Sequence, residues 1–99
     1  MRNYEIMLIF DASLEEDVIE KELQKITSII ENGKGSITDS QKWGLRKLAY
    51  PIKHRENGYY HVINFKSTET VINEIDRINK INDKLLRHLI VREEKNSKE

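Results

Sequence analysis

The chain has 99 residues, 37% hydrophobic and 34% charged, which is enough for one modest core and one domain. Lys and Arg balance Asp and Glu at a formal net charge of zero, so bulk charge alone gives no pull toward nucleic acid or membrane. The lack of Cys excludes disulfides, a thiol nucleophile and Cys-ligated zinc, and suits a cytosolic setting.

Residues 2–10, "RNYEIMLIF", read as a strand ending at Asp11. Its apolar run, Ile6 to Phe10, is far too short to span a bilayer, and the flanking Glu5 and Asp11 do not suit a signal peptide. Ser13-Leu14-Glu15-Glu16 has the form of a capping box, with Ser13 as N-cap and Glu16 reaching back. Behind it Ile19, Leu23, Ile26 and Ile30 fall on one helical face, and Asn32-Gly33 supplies a C-cap with positive φ. A second strand runs from Ser36 through Leu48, with Gly44 suited to a bulge, and should stop near Tyr50 because Pro51 cannot donate to a ladder. Glu56-Asn57-Gly58 is a turn signal, and "YYHVINFK" after it is a strand rich in aromatic and β-branched residues. Ser67 or Thr68 caps a second helix whose buried stripe is Val71, Ile75, Ile78 and Ile81 or Asn82. Residues 85–92, "LLRHLIVR", form a last strand, and residues 93–99 read as a polar, mobile tail.

The order β-α-β-β-α-β has one dominant solution under right-handed crossovers and hairpin pairing. It is the α+β, ferredoxin-like sandwich over residues 1–92: a four-stranded antiparallel sheet with both helices on one face. Ile6, Leu8, Phe10, Ile63, Phe65, His88 and Ile90 are assigned to the helix side by alternation. The uncovered face then carries Met7, Ile9, Tyr60, Val62, Leu89 and Val91, with Glu5, Asn64 and Arg87 among them. A contiguous apolar group of this size marks an interface, with a second copy, another chain or RNA.

Catalytic chemistry is poorly represented. His54, His61 and His88 stand apart with no metal-ligand spacing, and His61 and His88 read as partly buried structural histidines. No Gly-rich loop follows the first strand, and the acids of "DASLEE" would repel a phosphate at the helix start, against nucleotide binding or an acylphosphatase-like site. Asp39, Glu56, Asp76 and Asp83 form no ligand cluster, so no metal, cofactor or small-molecule substrate is expected. The third strand departs from the RNA-recognition-motif pattern at its leading base, small residue and last two aromatics, so base stacking on the open sheet is not expected.

The distribution of charge says more than its sum. The helix start carries Glu15, Glu16, Asp17, Glu20 and Glu22, while residues 42–55 carry Lys42, Arg46, Lys47, Lys53 and Arg55 without one acid. Alternation sets Trp43, Leu45 and Lys47 against Lys42, Gly44, Arg46 and Leu48 unless a bulge at Gly44 resets the register. Arg46 is the best candidate for a bidentate anion contact, with Lys53, His54 and Arg55 adding charge. Lys42 and Lys47 suit the ordinary task of protecting a sheet edge.

"RNYEIMLIF", "WGLRKLAYPIKH", "NGYYHVINF" and "LLRHLIVR" together resemble the bacterial small-subunit ribosomal protein six family, over residues 2–92 without large insertions. The resemblance implies a non-catalytic protein of the cytoplasmic ribosome. It implies pairing with small-subunit ribosomal protein eighteen and joint binding of a junction region of small-subunit ribosomal RNA. It points to Arg2 and Tyr4 at the N-terminus, Arg46 and Tyr50 in the middle motif, and Arg87 and Arg92 on the last strand. With the edge and open-face readings, the RNA candidates are Arg2, Tyr4, Arg46, Lys53, His54, Arg87 and Arg92. The partner candidates are Tyr4, Met7, Arg46, Tyr50, Tyr60, Val62 and Leu89, and Trp43 is expected to pack. Residues 93–99, "EEKNSKE", do not resemble the long acidic C-terminal tail of some members. A self-associating ferredoxin-like regulatory domain with a small ligand is the alternative reading.

Overall fold

The computed structural model describes residues 1–52 and 54–93. In chain order the elements are β1 (Arg2–Asp11), α1 (Glu16–Asn32), β2 (Ser36–Ile52), β3 (Arg55–Ser67), α2 (Glu69–Lys80) and β4 (Leu85–Arg92). The sheet order is β2-β3-β1-β4 and every pairing is antiparallel, which is the ferredoxin-like arrangement. Ile6, Leu8 and Phe10 of β1 and Ile63 and Phe65 of β3 are essentially inaccessible and pack against the α1 stripe and Ile75 of α2. Each such side chain contributes roughly 1.5–3 kcal/mol by leaving water, so this layer holds the helices to the sheet. The register confirms the expected faces: Ile6 pairs with Ile63 and Ile90, and Met7 pairs with Val62 and Leu89 on the other side.

Several local expectations are corrected. Ser13 does not cap α1, because its N–H and its hydroxyl both donate to Asp11 Oδ1, at 3.0 and 2.9 Å. The Asp11 turn thus takes the capping groups, and the helix starts at Glu16 with Glu15 in the N-cap position. At the other end Gly33 has φ −86° and the positive φ falls on Lys34 (69°). Gly33 is needed there for space, since a Cβ would stand 2.4 Å from Val71. In α2 the buried positions are Ile75 and Asn79, and just beyond its end Asn82 is half-buried while Ile81 is exposed.

The β2–β3 hairpin differs most. β2 does not stop before Pro51 but continues to Ile52, which pairs with Arg55. The preceding ladder pair is Lys47 with Asn57, so residues 48–51 bulge out of register, where the missing N–H of Pro51 breaks no ladder bond. His54, at φ 66°, stands in the turn, and Glu56, Asn57 and Gly58 sit inside β3. Gly58 is buried because the strands close tightly around it; a Cβ would stand 2.6 Å from Ile9 Cγ2.

Candidate nucleic-acid and partner interface

The face of the sheet away from the helices divides into three zones. In the first, Ile9 of β1, Leu48 of β2 and Leu86 of β4 form a small buried cluster with Tyr60 and Ile52 against it. Leu86 joins this face because the β1–β4 register shifts between Ile9 and Phe10, leaving Leu86 unpaired between Leu85 and Arg87. The bulged end of β2 therefore reaches over β3 and β1 toward β4. Beside it opens a groove of about 190 Å³ lined by Met7, Ala49, Tyr50, Arg87 and Leu89 among others. Leu89 and Val91 continue the apolar surface and are 49% and 45% exposed.

The second zone is aromatic and cationic. The bulge between Lys42 and Gly44, with Gly44 at φ 85°, turns Trp43 so that its ring stacks on Tyr60 at 6.3 Å and 11°. The Arg46 guanidinium lies over the indole, 5.3 Å from its centroid, and Arg46 Nε donates to the Trp43 carbonyl at 3.4 Å. The Arg87 guanidinium donates to the Tyr50 hydroxyl. Neither Arg46 nor Arg87 has a carboxylate partner among the described residues, so both cations stay uncompensated.

The third zone, toward the start of β1, is polar. Asn64 donates to Glu93 Oε2 at 2.9 Å, and the Glu93 N–H bonds to the Asn3 carbonyl at 2.8 Å. Glu93 is thereby tied to the sheet, one residue beyond the expected end of the domain, and the rest of the expected tail, residues 94–99, lies outside the described residues.

The sequence candidates fall into separate places. Arg46, Tyr50, Arg87, Met7, Tyr60, Val62 and Leu89 meet on the open face. Val62 is nevertheless 2% exposed, which leaves it little surface to offer. Tyr4 is a correction of larger consequence. It is 6% exposed, stacks on Phe65 at 5.8 Å and belongs to the helix-side core, because alternation from Ile6 turns it away from the open face. Arg2 and Arg92 are exposed at that same end; Arg92 pairs with Tyr4, whereas Arg87 pairs with Ile9. At about 3.3 Å per residue this separates the two arginine groups by more than ~15 Å. His54 is exposed at the hairpin turn, and Lys53 lies outside the described residues.

Two expected cations are engaged elsewhere. Arg55 Nε is 3.2 Å from Asp11 Oδ2, and Lys42 bonds Glu16 of α1. His61 and His88 are held as structural groups: His61 Nε2 lies 2.8 Å from Ser40 Oγ, and His88 Nε2 lies 2.7 Å from Asp76 Oδ1. Burial pushes the His61 imidazole below its ordinary value, favouring the neutral ring. Among the described residues no group of three His, Asp or Glu side chains stands close enough to hold a metal ion, and no helix is long and apolar enough to cross a membrane. Sequence reading missed Leu86 and the Trp43–Tyr60 stack. The only local signal for the second was the Trp-Gly pair, where a glycine able to take positive φ permits the bulge.

Sheet and helices define a small ferredoxin-like α+β domain with a cationic and apolar open face. The family model of ribosomal protein S6 matches residues 3–92. The small ribosomal subunit protein bS6 of Clostridium kluyveri is 42% identical over 95 residues, covering 96% of this chain and 100% of that protein. That of Clostridium perfringens is 40% identical over 94 residues, covering 95% and 99%. The crystal structure of 30S ribosomal protein S6 from Thermotoga maritima matches with a TM-score of 0.87 at 30% identity, over 93% of this chain and 87% of that one. An Arabidopsis thaliana protein with a TM-score of 0.57 and 11% identity shares the fold alone. The chain belongs to the ribosomal protein S6 family, whose members are structural proteins of the small ribosomal subunit and not enzymes.

Proposed function

We propose that the chain binds small-subunit ribosomal RNA jointly with ribosomal protein eighteen, through its open sheet face. The observation that carries this reading is the pair of uncompensated arginines, Arg46 and Arg87, held beside an apolar groove on one end of that face. The groove and the exposed Leu89 and Val91 suit a protein partner, and the guanidiniums suit phosphate oxygens. With zero net charge the chain supplies only part of a cationic surface, so a basic partner must complete it.

The lone chain should bind small-subunit ribosomal RNA weakly, and adding protein eighteen should tighten binding more than tenfold, where each tenfold is ~1.4 kcal/mol. Filter binding with and without the partner reads this directly. Equal affinity in both would end the joint-surface reading. Sedimentation of the free chain tests self-association; a stable homodimer through the open face would favour the regulatory alternative.

Tyr50→Phe isolates one part of the surface. It removes the hydroxyl that accepts from Arg87 and leaves the ring. Because Tyr50 is half-exposed, thermal melting should move by less than ~1 kcal/mol of stability, while RNA affinity drops several-fold, on the order of one lost hydrogen bond. Unchanged affinity would show that Tyr50 does not position Arg87.

A further inference from the structure

We propose that Trp43 is a nucleobase-stacking subsite: an unpaired nucleotide lays its base on the indole while Arg46 takes the adjoining phosphate. This rests on the reading that the open face binds RNA.

The indole is placed for a ligand and not for the core. Trp43 is 40% exposed and belongs to neither apolar cluster. The fold nevertheless fixes it. Trp43 Nε1 donates to Gln41 Oε1 at 3.1 Å, and Gln41 Nε2 donates to Asp39 Oδ2 at 2.8 Å, so a chain of hydrogen bonds along β2 sets the ring by its edge. Tyr60 of β3, cross-strand from Gly44, stacks on the same ring. Held by an edge bond and a neighbouring ring, the side chain has little rotamer freedom left to lose, which is the condition for a stacking platform.

Arg46 supplies the second half. Its guanidinium has no carboxylate partner among the described residues and rests on the indole at 5.3 Å, near the outer limit of ~6 Å for a cation–π contact. A contact this loose yields to a base, and the displaced cation stays within reach of that nucleotide's phosphate. The only polar atom of the indole is already bonded to Gln41, so the platform presents a π surface without base-reading groups. It therefore suits a single-stranded nucleotide of any sequence. The RNA-recognition-motif comparison missed this because it looks along one strand, whereas here adjacent strands contribute one ring each.

As the chain has a single Trp, its fluorescence reports this site alone. In vitro transcribed small-subunit ribosomal RNA added to the chain with protein eighteen should quench that emission at the concentrations where binding occurs. Trp43→Leu should weaken binding roughly 5- to 100-fold, the range for one lost base stack, with the salt slope unchanged. Trp43→Phe should restore most of the loss, although a merely structural role would be met as well by leucine. Binding with unquenched emission and wild-type affinity in Trp43→Leu would overturn the stacking subsite while leaving RNA binding standing. Quenching by protein eighteen alone, with no further change on adding RNA, would assign Trp43 to the protein interface and overturn it too. No RNA binding by the wild-type pair would remove both readings.

Discussion

Alanine at both Arg46 and Arg87 should weaken joint binding of the ribosomal RNA roughly 100-fold, taking ~1.5 kcal/mol for each lost charge-assisted contact. Both side chains are exposed, and both are held by neutral groups, an indole and a phenol, in place of carboxylates. Removing them leaves no buried charge behind, so the melting temperature should stay within a few degrees. The salt dependence separates phosphate contacts from other effects. Each contact contributes about 0.7–0.9 to the slope of log affinity against log salt, so the double variant should be flatter by roughly 1.5. An unchanged slope would remove these arginines from the phosphate surface, and a large loss of melting temperature would make them structural.

This prediction singles out two arginines from a run that looked more generous. Residues 42–55 hold five cations and no acid, which reads as one basic edge. In the fold, Lys42 reaches Glu16 and Arg55 reaches Asp11, so acids from the start of α1 and the end of β1 neutralise part of it. Such pairings follow from topology and register, which local charge counting does not see. Arg2 and Arg92 likewise sit at the opposite end of β1, so the cationic surface is two patches and not one.

The layered architecture was legible because period-two alternation in β1 and β3 and the period of α1 agree with one another. Which faces Met7, Ile9, Tyr60 and Leu89 occupy followed from that alternation alone. Tyr4 shows the limit of reading by motif: its alternation with Ile6 and Leu8 already placed it in the core, against the surface role that the resemblance implied. The hairpin was misread for a different reason. Pro51 ends a strand only where its N–H would be needed, and the bulge of residues 48–51 removes that need. The same bulge brings Leu48 onto Ile9 and Tyr50 onto Arg87, contacts that depend on register shifts and cannot be counted from sequence spacing.

Glu22→Ala should destabilise the fold by about 3 kcal/mol, although Glu22 lies far from the open face. The residue is 5% exposed on α1 and its Oε1 accepts from Asn82 Nδ2 at 2.7 Å. Asn82 Oδ1 in turn accepts the Lys84 N–H at 3.0 Å, so one carboxylate ties the loop between α2 and β4 to α1 and sets how β4 enters the sheet. Lys25 bonds the other oxygen at 3.1 Å and Lys84 stands at 4.0 Å, and water around both ammonium groups weakens their pull on the carboxylate without removing it. Glu22→Gln keeps an acceptor for Asn82 and should recover more than half of the loss; a glutamine variant as unstable as the alanine one would show that charge, not the hydrogen bond, does the holding. The pH dependence carries a definite sign. Burial works to raise the Glu22 carboxyl, but the bonds from Asn82 and Lys25 outweigh it and hold the group below its ordinary value of 4.5. The ionised form is therefore favoured by folding. Its contribution is complete above about pH 4.5 and is lost as pH falls through the lowered folded value, where the unfolded chain takes up its proton first. Acid titrations of wild type and Glu22→Gln, followed by circular dichroism, should converge as pH drops below that point. Parallel curves would separate Glu22 from the acid response, whereas convergence would tie the seating of β4, and with it the placement of Arg87, to one buried carboxylate.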